Sequence, residues 1–158
     1  MAPLTGSILL AALLLGGSAH AGTAFVDARD YPTSALGHER FLAAERLLAK
    51  GFHTICGDTF CEGQYYNLWP MRLRCSVQRD SGVVGRCVWT FAGSETWVRQ
   101  TGRIAVDQGA YACVLPVAPG SRLDALLTLW ESRSADEALD VPLPGSGQSV
   151  YAALTDCL

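Results

Sequence analysis

Residues 71–91 read Met-Arg-Leu-Arg-Cys-Ser-Val-Gln-Arg-Asp-Ser-Gly-Val-Val-Gly-Arg-Cys-Val-Trp-Thr-Phe. Met71, Leu73, Cys75 and Val77 alternate with Arg72, Arg74, Ser76 and Gln78, the period-2 pattern of a strand with one buried face. Arg79-Asp80-Ser81-Gly82 supplies a turn. Beyond it Val83, Cys87, Trp89 and Phe91 share one face, and Val84, Arg86, Val88 and Thr90 share the other. The stretch predicts an antiparallel hairpin.

Toward the C-terminus the strand signals continue. Short runs at Thr96–Arg99 and Arg103–Val106 flank a Gln100-Thr101-Gly102 turn, and a further run from Ala110 to Leu115 stops at Pro116. After Gly120, Leu123, Leu126, Leu127 and Trp130 keep helical spacing behind a Ser121-x-x-Asp124 cap. Residues 132–149, rich in Ser, Pro, Gly and acidic side chains, read as a loop before a short terminal helix at Val150 to Cys157.

Upstream, Leu36, Phe41, Leu42, Ala44, Leu47 and Leu48 predict a helix over 35–50, capped by Ser34 and stopped by Gly51. Residues 22–33 read as an irregular lead-in, and 56–70 as an ordered loop pinned by its own cysteines. The expected fold is α+β: an antiparallel meander of four or five strands with helices packed on one face. Residues 22–158 are expected to form a single disulfide-stabilised domain.

The chain has 158 residues, 49% hydrophobic and 17% charged, with a net charge of −3. That composition excludes a disordered chain and gives no general attraction to nucleic acid. Residues 1–21 have the shape of a signal peptide: an apolar run from Pro3 to Gly17, too short to span a bilayer, then Ala19-His20-Ala21. Cleavage after Ala21 is expected, although no Lys or Arg precedes the run. No later stretch is apolar enough to cross a membrane.

Six cysteines in an exported chain predict three disulfides. Sequence alone leaves fifteen pairings open, but placement ranks them. Cys75 and Cys87 lie on the two strands of the hairpin, Cys56 and Cys61 can close a local loop, and Cys113 then pairs with Cys157.

Candidate chemistry is sparse. His38 and His53 are the histidines left after export, and His38 sits on the polar start of a helix. His53 with Cys56 and Cys61 has zinc-ligand spacing, but oxidation of both thiols takes precedence, so no metal or cofactor is expected. Asp58 and Glu62 are near enough in sequence for paired-carboxylate hydrolysis, as are two solvated side chains of a turn. No nucleophile elbow, zinc-protease helix or phosphate loop is present.

Charge is unevenly spread. Arg72, Arg74, Arg79, Arg86, Arg99 and Arg103 stand against Asp80 and Glu95, a local +4, whereas residues 122–158 carry a local −4. Arg72, Arg74 and Arg86 are expected on the sheet face away from the core, where guanidinium groups suit carboxylates and anionic glycans; a wet sheet face also needs polar residues. The acidic C-terminal segment folding back over these arginines is the alternative. Tyr65, Tyr66 and Trp69 form a second candidate surface, with Leu68 expected buried and at least one tyrosine exposed.

At Cys56-Gly57-Asp58-Thr59-Phe60-Cys61-Glu62-Gly63 and at Cys87-Val88-Trp89-Thr90-Phe91-Ala92 the chain resembles exported proteins of unknown function from Gram-negative bacteria. The resemblance spans roughly Cys56 to Pro116; it implies a periplasmic setting and no activity.

The leading expectation is an exported, periplasmic or secreted binding module, in kind an inhibitor or immunity protein directed at a cell-envelope enzyme. Its partner would be another protein or an anionic envelope component rather than nucleic acid. The alternatives are a small envelope hydrolase using Asp58, Glu62 or His53, and a non-enzymatic structural component of the envelope.

Overall fold

The hairpin predicted over 71–91 is the middle of a longer one. The computed structural model describes residues 24–158, so the export segment read at 1–21 lies outside the described residues. The sheet is an antiparallel meander in the order β1 (Phe25–Asp27), β2 (Trp69–Gln78), β3 (Val84–Val98) and β4 (Ile104–Leu115). Helix α1 (Ser34–Ile55) lies across one sheet face, followed in sequence by α2 (Leu123–Glu131), α3 (Ala135–Asp140) and α4 (Val150–Thr155). This is the expected α+β arrangement.

The core lies between α1 and the inner sheet face. Leu73, Cys75, Cys87, Trp89, Phe91 and Cys113 are buried from the sheet side, and Phe41, Ala44, Leu48 and Phe52 from α1. The Phe52 ring centroid is 4.9 Å from that of Phe91 and 6.1 Å from that of Trp89. Leu126, Trp130, Leu139 and Leu154 complete the same cluster.

Several boundaries differ from expectation, each for a physical reason. A register shift between Pro70 and Arg72 makes Met71 the extra residue of a bulge, so Met71 is exposed and Pro70 is buried. A second shift, at Ser76/Val77, pairs Val77 with Val84 and turns Val84 rather than Val83 into the core. The separate runs expected between 83 and 115 are two continuous strands, because the glycines between them are paired positions. Gly93 lies opposite Gly109 in an unbroken register.

Strand β1 was hidden in the supposed lead-in: three residues are too few to show alternation. Helix α1 runs through Gly51, where a Cβ would come within 2.2 Å of the Ala135 carbonyl oxygen. Gly51 therefore permits close approach of α3 rather than ending the helix. Helix α3, expected as loop, starts at a capping box in which the Ser134 hydroxyl and the Glu137 backbone and carboxylate satisfy one another. Ser121 does not cap α2; its hydroxyl donates to the Pro144 carbonyl at 3.2 Å.

All six cysteines are paired as their placement suggested: Cys56–Cys61, Cys75–Cys87 and Cys113–Cys157. Among the described residues no helix is long and apolar enough to cross a membrane.

Candidate functional site

The helices cover one face of the sheet and leave the other open. Strand alternation and register define what the open face carries. Arg74 of β2 stands beside Val88 of β3 and Val114 of β4, and Arg72 beside Thr90 and Ala112. Arg86 pairs with Ser76 on the same face. Arg72, Arg74 and Arg86 are all exposed. Arg74 Nε lies 3.3 Å from Asp27 Oδ2, whereas Arg72 and Arg86 form no ion pair among the described residues.

The acidic C-terminal segment does not fold over these arginines. Two of its carboxylates are held on the helical side by Arg40 of α1, which donates to Glu131 Oε1 at 2.6 Å, to Glu131 Oε2 at 2.9 Å and to Asp124 Oδ1 at 2.5 Å. Hydrogen bonds to Glu131 and then Asp124 hold the Arg40 pKa well above its ordinary value.

Along β4 the open face changes character. Ile104, Val106 and Val114 are exposed by 71%, 62% and 45%, with the exposed Gln108, Ala110 and Ala112 between them. Val98 of β3, opposite Ile104, is also exposed. Aliphatic side chains thus stand at both ends of the β4 row, Ile104 and Val106 at the hairpin tip and Val114 at the end of the face that carries the arginines. The row was legible as alternation in 104–114, but the same pattern reads equally well as a core strand.

The aromatic loop divides. Tyr66 and Trp69 are exposed, Leu68 is buried, and Tyr65 is 2% exposed, so Tyr65 belongs to the fold and not to a contact surface. It is buried because Gly93 and Gly109 have no side chains: a Cβ on Gly93 would lie 2.8 Å from Tyr65 Cβ, and one on Gly109 2.7 Å from Tyr65 Cε2. Burial, and then the Asp107 carboxylate, push the Tyr65 phenol above its ordinary pKa. Asn67 ties the loop to β3, accepting from Ser94 N–H at 2.7 Å and donating to Ser94 Oγ at 3.1 Å. Trp69, Asn67, Ser94, Gln108 and the small Ala92 and Ala110 line a shallow depression of about 590 Å³.

Asp58 and Glu62 are exposed on the two 3-10 turns of the Cys56–Cys61 loop. His53 stands in a separate groove between α1 and β2, its ring centroid 4.5 Å from that of Trp69, with Leu42, Arg46 and Met71 nearby. Cys56 and Cys61 are spent in their disulfide, which removes the thiolates a zinc site at His53 would need. His38 is exposed in the second turn of α1.

No family model, curated protein or solved structure matches the chain.

Proposed function

We propose that the chain is an exported binding module whose open sheet face engages another protein of the cell envelope, in kind an inhibitor or immunity protein. The observation that carries this reading is the open face itself: exposed Val114 lies across Val88 from Arg74, with Arg72 and Arg86 on the same end of the face, while exposed Ile104 and Val106 continue the β4 row to the hairpin tip. Exposed aliphatic side chains next to guanidinium groups on an uncovered sheet face are a mark of a protein contact. Arginine beside them selects carboxylates, so the partner presents acidic groups beside apolar ones. Three disulfides support export to an oxidising compartment and hold the face rigid, which limits the entropy lost on binding.

The test is capture from cell-envelope extract with immobilised mature protein. An open-face variant, Arg72→Glu with Arg86→Glu and Val106→Glu, is compared with a helical-face variant, Asp136→Lys with Asp140→Lys. The reading expects a discrete captured protein that the open-face variant loses and the helical-face variant keeps. Equal capture by both variants overturns it.

A further inference from the structure

Strand β4 ends the sheet, and among the described residues nothing pairs with its outer edge. The hairpin closes with Arg99 N–H donating to the Arg103 carbonyl at 2.8 Å, and the register then runs one for one from Val98↔Ile104 to Cys87↔Leu115 without a bulge. Hydrogen-bonded and non-bonded pairs alternate in an antiparallel ladder. Odd-numbered residues of β4 therefore bond to β3. The N–H and C=O groups of Ile104, Val106, Gln108, Ala110, Ala112 and Val114 point outward.

Sheet edges are normally guarded by short strands, bulges, proline or charge. The opposite end of this sheet obeys that rule. There β1 is three residues long, and in the part of β2 it leaves uncovered the buried Glu45 accepts Leu73 N–H at 2.9 Å. By contrast β4 is 12 residues long, has no bulge, proline, lysine or arginine, and carries Asp107 as its one charged side chain.

We infer that β4 pairs antiparallel with β4 of a second copy about a two-fold axis through Gly109. Gly109 is the midpoint of 104–114, so this register engages every outward backbone group of the strand. It sets Ile104 beside Val114 of the second copy and Val106 beside Ala112, apolar against apolar. Asp107 meets Tyr111 of the second copy. Moving the axis to Asp107 would oppose two carboxylates and leave Val114 beyond the paired region. An isologous contact of this kind closes as a dimer. It uses backbone groups at the edge and leaves both open faces free, joined as one sheet with the β4 rows central and the arginines on both flanks.

The experiment uses the mature protein alone, so its outcome is independent of partner capture. Light scattering after size exclusion is expected to give twice the chain mass. Amide exchange followed by NMR is expected to protect even-numbered β4 amides as well as odd-numbered ones. Ala110→Pro removes an outward donor without breaking the β3 ladder; it is expected to give a monomer in which only odd-numbered amides remain slow. A monomeric wild type with fast exchange at even positions overturns the inference, and so does a dimer that keeps those amides fast. Protection of the even positions only after an extract protein is added also overturns it, in favour of strand addition by that partner. The exchange data decide the matter even if Ala110→Pro does not fold.

Discussion

The ring of Tyr65 lies over Gly93, close enough that a Cβ on Gly93 would be 2.8 Å from Tyr65 Cβ. Gly109, directly across the ladder, supports the same ring. This seat fixes the aromatic loop to the base of the β3–β4 hairpin and so positions Trp69 at the border of the open face. Gly93→Ala and Gly109→Ala are each expected to destabilise the fold by about 1–3 kcal/mol, as overpacking does, measured by urea denaturation. Unchanged midpoints would mean that the loop is not held there.

The same residue gives a pH dependence. The folded chain holds the Tyr65 phenol protonated above its ordinary pKa. Between the unfolded value of about 10 and the raised folded value, the folded state binds more proton than the unfolded state, so stability falls as pH rises. Tyr65→Phe is expected to lose less stability than wild type as pH rises above about 10. Parallel losses in the two proteins would contradict the burial.

Gly51 reverses an ordinary expectation. Glycine to alanine inside a helix normally gains about 1 kcal/mol. Here the added methyl would meet the Ala135 carbonyl oxygen at 2.2 Å, so Gly51→Ala is expected to cost about 1–3 kcal/mol. A gain in the thermal midpoint would show that α3 does not pack on α1 at this point.

Glu45 is buried and ion-paired with Arg29 while it accepts the β2 edge amide of Leu73. Glu45→Gln keeps an acceptor for Leu73 but leaves the Arg29 charge uncompensated. The expected cost is about 3 kcal/mol. A cost below about 1 kcal/mol would match a solvent-screened surface pair instead.

The disulfides should rank by the loops they close. By the chain-entropy model, the 44-residue separation of Cys113–Cys157 gives about 4 kcal/mol and the 5-residue separation of Cys56–Cys61 about 2 kcal/mol. Replacing both cysteines of each pair by serine, with denaturation as the readout, is expected to reproduce that order.

The hairpin, α1, α2, α4 and the disulfide pairs were legible because each has a local signal: alternation, helical spacing or cysteines on facing strands. The elements that were not legible depend on distant residues. Gly51 reads as a helix stop until Ala135 is placed against it, and the runs on either side of Gly93 and of Gly109 read as separate until the pairing of β3 with β4 joins them. The bulge at Met71 lies in the pairing with β3, so alternation alone turns that side chain inward. For the candidate surface, the facing of Arg72, Arg74 and Arg86 followed from the pattern around Leu73, Cys75 and Cys87. The exposure of Ile104 and Val106 did not, since nothing local distinguishes an uncovered aliphatic row from a buried one.

The most direct test of the open face is the affinity of the captured envelope protein, measured by calorimetry. Wild type would be compared with Arg72→Glu/Arg86→Glu/Val106→Glu and with His53→Ala/Asp58→Asn/Glu62→Gln. A binding face of this kind predicts at least about a tenfold loss, or about 1.4 kcal/mol, for the first variant and wild-type affinity for the second. Wild-type affinity in the first and loss in the second would contradict it and move the working surface to the disulfide loop and the His53 groove.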